Sequence, residues 1–181
     1  LIRQTDRGWS QPVSVHADGW RIDGCPVNGP ALLARGEEVL VAWFTMAQDV
    51  PVVRLARSGD GGRHFKLVQE FDAGSAIGRV DLSWTQSGYL LSWMQQTREG
   101  AQLRLAHRAG ATGSGGVDRL LALDGGRSSG FPKILGLADG RVLLAWTGQH
   151  ALTGEGQVQT ALLTLTKTQE STADTATPSA R

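Results

Sequence analysis

Residues 58–65 read Ser-Gly-Asp-Gly-Gly-Arg-His-Phe, and the rest of the chain is organised around them. Ahead of this stretch, Val52-Val53-Arg54-Leu55-Ala56-Arg57 alternates apolar and polar residues, as a half-buried strand does. Behind it, Lys66-Leu67-Val68-Gln69-Glu70-Phe71 supplies a second strand. Between the two, Gly61 and Gly62 permit positive φ, and the Asp60 carboxylate is placed to accept backbone N–H groups of its own turn. Phe65 folds back as an apolar plug. Ser58, Asp60, Gly62 and Phe65 spell Ser-x-Asp-x-Gly-x-x-aromatic. An ordinary Gly-Gly hairpin is the plainer alternative. The match at all four positions, and the repeats on either side, favour a turn with its own internal staple. Such a turn holds two strands and catalyses nothing.

The repeats are direct. Leu40-Val41-Ala42-Trp43, Leu90-Leu91-Ser92-Trp93 and Leu143-Leu144-Ala145-Trp146 are one strand written three times. Each is preceded by a strand and a turn, with Arg35-Gly36, Ser87-Gly88 or Asp139-Gly140 at the turn. Each preceding strand follows a glycine, at Gly29-Pro30, Gly78-Arg79 and Gly130-Phe131. A period near 50 residues with four short strands per unit predicts β-propeller blades. With strands lettered A to D outward, the first blade is Ala31–Ala34, Val39–Phe44, Val52–Arg57 and Lys66–Phe71. The second is Val80–Trp84, Tyr89–Met94, Gln102–His107 and Val117–Leu123. The third has Lys133–Leu137, Val142–Trp146 and Val158–Thr164, and no D strand. Gly8–Val15 reads as a D strand of a preceding blade. Residues 1–165 are therefore expected to be a partial propeller, and 166–181, rich in Thr, Ser and Ala, a disordered tail. Three blades fall below the usual ring. Either the chain is the C-terminal half of a longer propeller or two or more copies assemble one; the Leu rather than Met at position 1 favours the first.

Composition limits the function. With 18 basic and 17 acidic residues the net charge is +1, which offers no electrostatic footprint for nucleic acid. The 24 Gly and 6 Trp fit a turn-rich β protein. One cysteine, Cys25, excludes an internal disulfide and a Cys-rich zinc site. No apolar run approaches the roughly 20 residues that span a bilayer, and no signal peptide opens the chain. His16, His64, His107 and His150 share no metal-ligand spacing, so neither a metal nor another cofactor is expected.

The stapled turn and the Leu-x-x-Trp strands, over most of residues 8–165, resemble the sialidase-like β-propellers with Asp-box (BNR) repeats. In the second unit the box is degenerate: Ala109–Gly116 keeps glycines and loses the Asp. The resemblance implies a six-bladed ring in the parent protein, of which this chain holds about half. It also implies a periplasmic or secreted location and action on, or binding of, acidic glycans. It places the Asp-box and the A–B turns on the face away from substrate. The working face then comprises Asp18–Asn28, Asp72–Gly78 and Asp124–Gly130, with Thr45–Val50, Gln95–Ala101 and Gly148–Gly156.

Sialidase chemistry needs arginines for a carboxylate, an acid, and a Tyr activated by a Glu. The one tyrosine, Tyr89, lies beside the Ser87-Gly88 turn on the wrong face, so no sialidase nucleophile is expected in this chain. Arg79 and Asp81 flank Val80 and fall on one side of the strand by its period of two. They read as a ligand grip or as a structural ion pair, the second being favoured. Lys133 holds a similar place in the third unit, and Phe131 offers a ring face to a sugar. Trp20 and Asp23, in the long loop with Cys25 and Asn28, and Asp49, in a B–C loop, complete the candidate ligand surface. Cys25 reads as a small buried apolar residue rather than a nucleophile. Three functions stand: part of a glycoside hydrolase acting on acidic glycans, inactive in this chain alone; a non-catalytic propeller that binds carbohydrate or protein; or a structural fragment with no activity alone.

Overall fold

Strands alternating in polarity, separated by Gly-rich turns, build the whole protein. The computed structural model describes residues 1–24, 26–109, 117–123, 130–149 and 153–165. Cys25, His150, most of the degenerate turn at 109–116, most of the 124–130 loop, part of the 148–156 loop and the 166–181 tail lie outside the described residues. The protein is all-β, with four antiparallel sheets and, among the described residues, one short 3-10 turn at Ala47–Asp49.

A small hairpin pairs β1 (Gln4–Thr5) with β2 (Gly8–Trp9). The D strand expected at Gly8–Val15 is thus regular only at Gly8–Trp9. Beyond it, paired bonds between Leu1 and Val13 (2.8 and 2.9 Å) keep the segment alongside the N-terminus. Pro12, between Ser10, whose N–H still reaches the Arg3 carbonyl at 2.8 Å, and Val13, has no N–H to add to a ladder.

Three larger sheets follow in chain order, each a simple meander. The first holds β3 (Ala31–Arg35), β4 (Glu38–Thr45), β5 (Val52–Ser58) and β6 (Lys66–Phe71). The second holds β7 (Ala76–Trp84), β8 (Gly88–Thr97), β9 (Gly100–Ala109) and β10 (Val117–Leu123). The third holds β11 (Lys133–Gly136), β12 (Arg141–Gln149) and β13 (Gly156–Thr164). The strand positions expected from the repeats are reproduced within a few residues.

The sheets stack face on face through two apolar layers. Leu40, Ala42, Val53 and Leu55 of the first sheet meet Val80, Leu82, Leu91 and Trp93 of the second. Leu90, Met94, Leu103 and Leu105, on the other side of the second sheet, meet Ile134, Val142 and Leu144 of the third. A strand with both faces covered reads as a nearly continuous apolar run, and Gly88–Met94, interrupted only by Ser92, is such a run and is buried throughout. The inner strands β7 and β11 approach so closely that a Cβ on Gly136 would collide with the Trp84 carbonyl.

A tryptophan fixes each of the first two large sheets to the connection that precedes it. Trp93 Nε1 donates to Asp72 Oδ2 at 2.6 Å, and its ring packs on Phe71 at 4.8 Å between centroids. Trp43 Nε1 reaches Asp18 Oδ2 at 3.4 Å, with His16 in the place of the phenylalanine at 6.0 Å.

The turn at residues 58–65 forms as expected. Asp60 Oδ1 accepts the Ser58 hydroxyl (2.7 Å) and the N–H groups of Arg63 (2.9 Å) and His64 (3.0 Å). Ser58 Oγ accepts the Gly62 N–H at 2.9 Å, and Phe65 lies against Gly62. Gly61 N–H donates to the Glu37 carbonyl at 2.8 Å, which places this turn and the β3–β4 turn at the same end of the sheet. The His64 N–H, the Ser58 hydroxyl and the His64 ring hold the Asp60 carboxyl well below the usual carboxylate range.

Trp93 is fully buried, whereas Trp43 is only partly covered. Trp93→Ala is expected to destabilise the protein by about 3–5 kcal/mol in urea unfolding, and Trp43→Ala by clearly less. The depressed Asp60 carboxyl contributes stability that is complete above the unfolded-state value of about 3.9 and is lost as pH falls through the folded-state value. Thermal melts should therefore drop on acidification below about pH 4, and Asp60→Asn should remove part of that drop.

Candidate functional site

The start of β7 departs from regular strand geometry, and that departure builds the site. Gly78 has φ +96° and Arg79 φ +54°, and the β7–β8 register shifts twice between Ala76 and Asp81. An arginine at positive φ is disfavoured by its Cβ and persists only where its surroundings hold it. Asn28 does so from the preceding loop. Its Oδ1 accepts the Arg79 N–H at 2.9 Å, and its Nδ2 donates to the Ile77 carbonyl at 2.9 Å. A Cβ on Gly78 would stand 2.7 Å from the Asn28 side chain, so glycine is needed for this approach.

The displaced Arg79 lays its guanidinium 5.7 Å from the centre of the Phe131 ring, within cation–π range. Phe131 is exposed. Two residues on, Lys133 Nζ lies 3.1 Å from Asp81 Oδ1 and keeps 65% of its side chain exposed. Asp81 Oδ2 accepts the Ile134 N–H at 2.9 Å. Arg79, Asp81, Phe131 and Lys133 thus gather where the second sheet meets the third, with Asn28 behind them. The cluster offers two cations and a ring face. Its one carboxylate is already committed to a backbone N–H and an ammonium.

The other expected site residues lie apart from this cluster. Trp20 packs edge-on against Phe44 at 5.8 Å and lines an apolar groove of about 520 Å³ on the first sheet. Asn28 lines the same groove, so the 20–28 loop touches both places. Asp23 is exposed in that loop. Asp49 has φ +59° in the Ala47–Asp49 turn. That turn borders a polar cleft of about 370 Å³ with Asp18, Arg54 and Glu70. Arg54 ties the cleft together, 3.2 Å from Asp18 and 2.7 Å from Glu70. Partial burial pushes the Asp18 carboxyl up. The Thr45 side chain, the Trp20 N–H, Trp43 and the Arg54 charge outweigh that and hold it below the usual carboxylate range. Tyr89 is buried in β8, and burial pushes its hydroxyl up from the ordinary value.

Asn28, Asp18 and Asp72 were not legible as the residues that organise these places. A signal for the two aspartates exists: each precedes the tryptophan it binds by a similar interval, 25 and 21 residues. Asn28 carries no such signal, because its partners at Ile77 and Arg79 lie 49 and 51 residues away.

Asp81 binds across the sheet junction, so its loss should be felt in folding. Asp81→Ala leaves the buried Ile134 N–H unpaired and should cost about 1–3 kcal/mol in urea unfolding. Lys133→Ala, which removes an exposed ion-pair partner, should cost no more than about 1 kcal/mol.

No family model matches the chain, and no curated protein matches it. A solved structure does: the crystal structure of a protein of unknown function from Dyadobacter fermentans DSM 18053, with a TM-score of 0.54 and 18% sequence identity. The match covers 76% of this chain and only 38% of that one. At that identity the likeness concerns the fold alone, an all-β arrangement that this chain shares with part of a longer protein.

Proposed function

We infer that the three large sheets are blades of a sialidase-like β-propeller, and that Arg79, Phe131 and Lys133 form part of its surface for an acidic glycan. This chain alone binds and does not hydrolyse. The carrying observation is Arg79, held at positive φ by Asn28 over an exposed ring and beside an exposed ammonium. A guanidinium suits a carboxylate because its planar fork donates two parallel hydrogen bonds. A ring face suits the apolar side of a sugar. Strain of this kind concentrates at ligand clamps. The blade reading is supported by the repeat of four antiparallel strands, the stapled turn at Asp60, and the shared end of the β3–β4 and β5–β6 turns. A periplasmic or secreted location belongs to the same reading and rests on the family resemblance.

Two features favour binding over catalysis. Asp81 is engaged by Ile134 and Lys133, which leaves it poorly placed to shuttle a proton. Tyr89 is buried. Sialidase function therefore belongs, in this reading, to a larger assembly that supplies the acid and the nucleophile.

Titration calorimetry with a sialic-acid-terminated trisaccharide should detect binding. Arg79→Ala should weaken it at least about tenfold, a loss of about 1.4 kcal/mol, while the melting temperature holds. Unchanged affinity together with a lower melting temperature would show Arg79 to be structural and the assignment wrong. A fluorogenic sialoside should be turned over no faster than in buffer.

A further inference from the structure

The first two large sheets share one plan and differ beside one tryptophan. In each, a tryptophan of the second strand pairs in register with an arginine of the third: Trp43 with Arg54, and Trp93 with Arg104. In the second sheet buried Phe71 covers the tryptophan, and β8 and β9 join through a tight turn between Thr97 and Gly100. In the first sheet His16, which is exposed, stands in place of Phe71. There a longer connection containing the Ala47–Asp49 turn joins β4 to β5. The polar cleft of about 370 Å³ lies between that connection and His16.

The charge differs too. The residue in register with Arg104 is Arg119, whereas the one in register with Arg54 is Glu70. Arg54 stands between Asp18, 3.2 Å from its Nη1, and Glu70, 2.7 Å from its Nε. With histidine counted as neutral, two carboxylates against one guanidinium give the cleft an excess of one negative charge at pH 7. Asp18 is engaged within the protein, where it accepts the Trp20 N–H and the Trp43 indole besides facing Arg54. Glu70 keeps 44% of its side chain exposed, so its charge is the one a ligand reaches. Gln48 lines the cleft from a backbone at φ +57°, and Asp49 follows at +59°. Two successive non-glycine residues in the left-handed region cost energy, and strain of this kind concentrates at ligand clamps.

We propose that this cleft binds a small hydroxylated primary amine, such as an amino sugar. The site is separate from the Arg79 surface and does not depend on the blade reading. An excess of negative charge calls for a cation. A guanidinium already holds the centre, and a compact ammonium fits beside it, its three donors meeting the Glu70 carboxylate and the Gln48 amide oxygen. The His16 ring and the Gln48 amide group offer donors to hydroxyls. The volume lies at the lower end of the roughly 300–1,000 Å³ of small-molecule sites. A bare metal ion fits less well, since among the described residues no three His, Cys, Asp or Glu side chains are grouped to hold one.

In NMR spectra of the whole chain, glucosamine should shift the Gln48 amide and the Trp43 indole N–H, which reports on Asp18. N-acetylglucosamine, the same sugar with its ammonium masked as an amide, should shift neither. Glu70→Gln keeps a carbonyl oxygen for Arg54 and removes the charge. It should weaken glucosamine binding at least about tenfold with the melting temperature unchanged. Gln48→Gly suits the left-handed backbone, so it should give a folded protein that binds glucosamine several-fold more weakly. No shift with glucosamine overturns the proposal. Equal shifts with the two sugars overturn it as well, because the cleft would then read hydroxyls alone. Undiminished affinity in Glu70→Gln, or shifts centred on Arg79 and Lys133, would place the amine elsewhere and sink the assignment. Calcium chloride that reproduces the shifts and displaces glucosamine would make the cleft a metal site and overturn the amine reading.

Discussion

An edge strand leaves every second N–H without a partner, and a stack of separate sheets multiplies such edges. Here the inner strand of one sheet supplies side chains to the inner strand of the next. Asp81 accepts the Ile134 N–H at 2.9 Å, and Ser83 Oγ accepts the Gly136 N–H at 2.8 Å. These two bonds, two residues apart on both strands, fix the height of the third sheet against the second. Everything built at that junction depends on this setting, including the position of Phe131 under Arg79. The first junction is held differently. There Asn28 binds the displaced backbone of β7, and Trp84 Nε1 donates to the Ala34 carbonyl at 3.3 Å.

The apolar layers supply the bulk of the stabilisation, and the tryptophan–aspartate bonds give it direction. Leu and Val rows would tolerate sliding, since hydrophobic contact is not directional. An indole N–H that must find its acceptor tolerates less. Trp93, buried between two sheets, ends on Asp72 at the start of its own sheet's connection. Trp43 repeats the arrangement with Asp18, where the neighbouring layer is thinner. The same unit thus serves as a closed junction in one place and a half-open one in another.

The same demands engage several of the polar groups that the sequence singled out. The oxygens of Asp81 hold a strand edge and an ammonium. Asp60 is strongly acidic because it is saturated with donors in a turn at the other end of the first sheet. Arg79 stands out by its backbone conformation. Its backbone is held at positive φ by Asn28, and its guanidinium is set over an exposed ring.

The strand order, the three units and the stapled turn were legible in the sequence because they are local. Alternation, a glycine-bearing turn and a Leu-x-x-Trp strand each span fewer residues than one hairpin, and repetition at about 50 residues made them visible. Arg79, Asp81 and Lys133 were legible as polar groups at strand starts, and Phe131 as their neighbour. Their partners were not. The sequence placed Asp81 beside Arg79; the tertiary structure gave it to Lys133 and Ile134, 52 and 53 residues away. The bulge that turns Arg79 over Phe131 depends on Asn28, 51 residues earlier. Which face of a strand is covered is set by the packing of whole sheets, and Leu32 and Leu82 are the same residue in the same place with opposite exposure. Local periodicity fixes what a strand offers to its neighbours; only the assembled stack decides which neighbours are there.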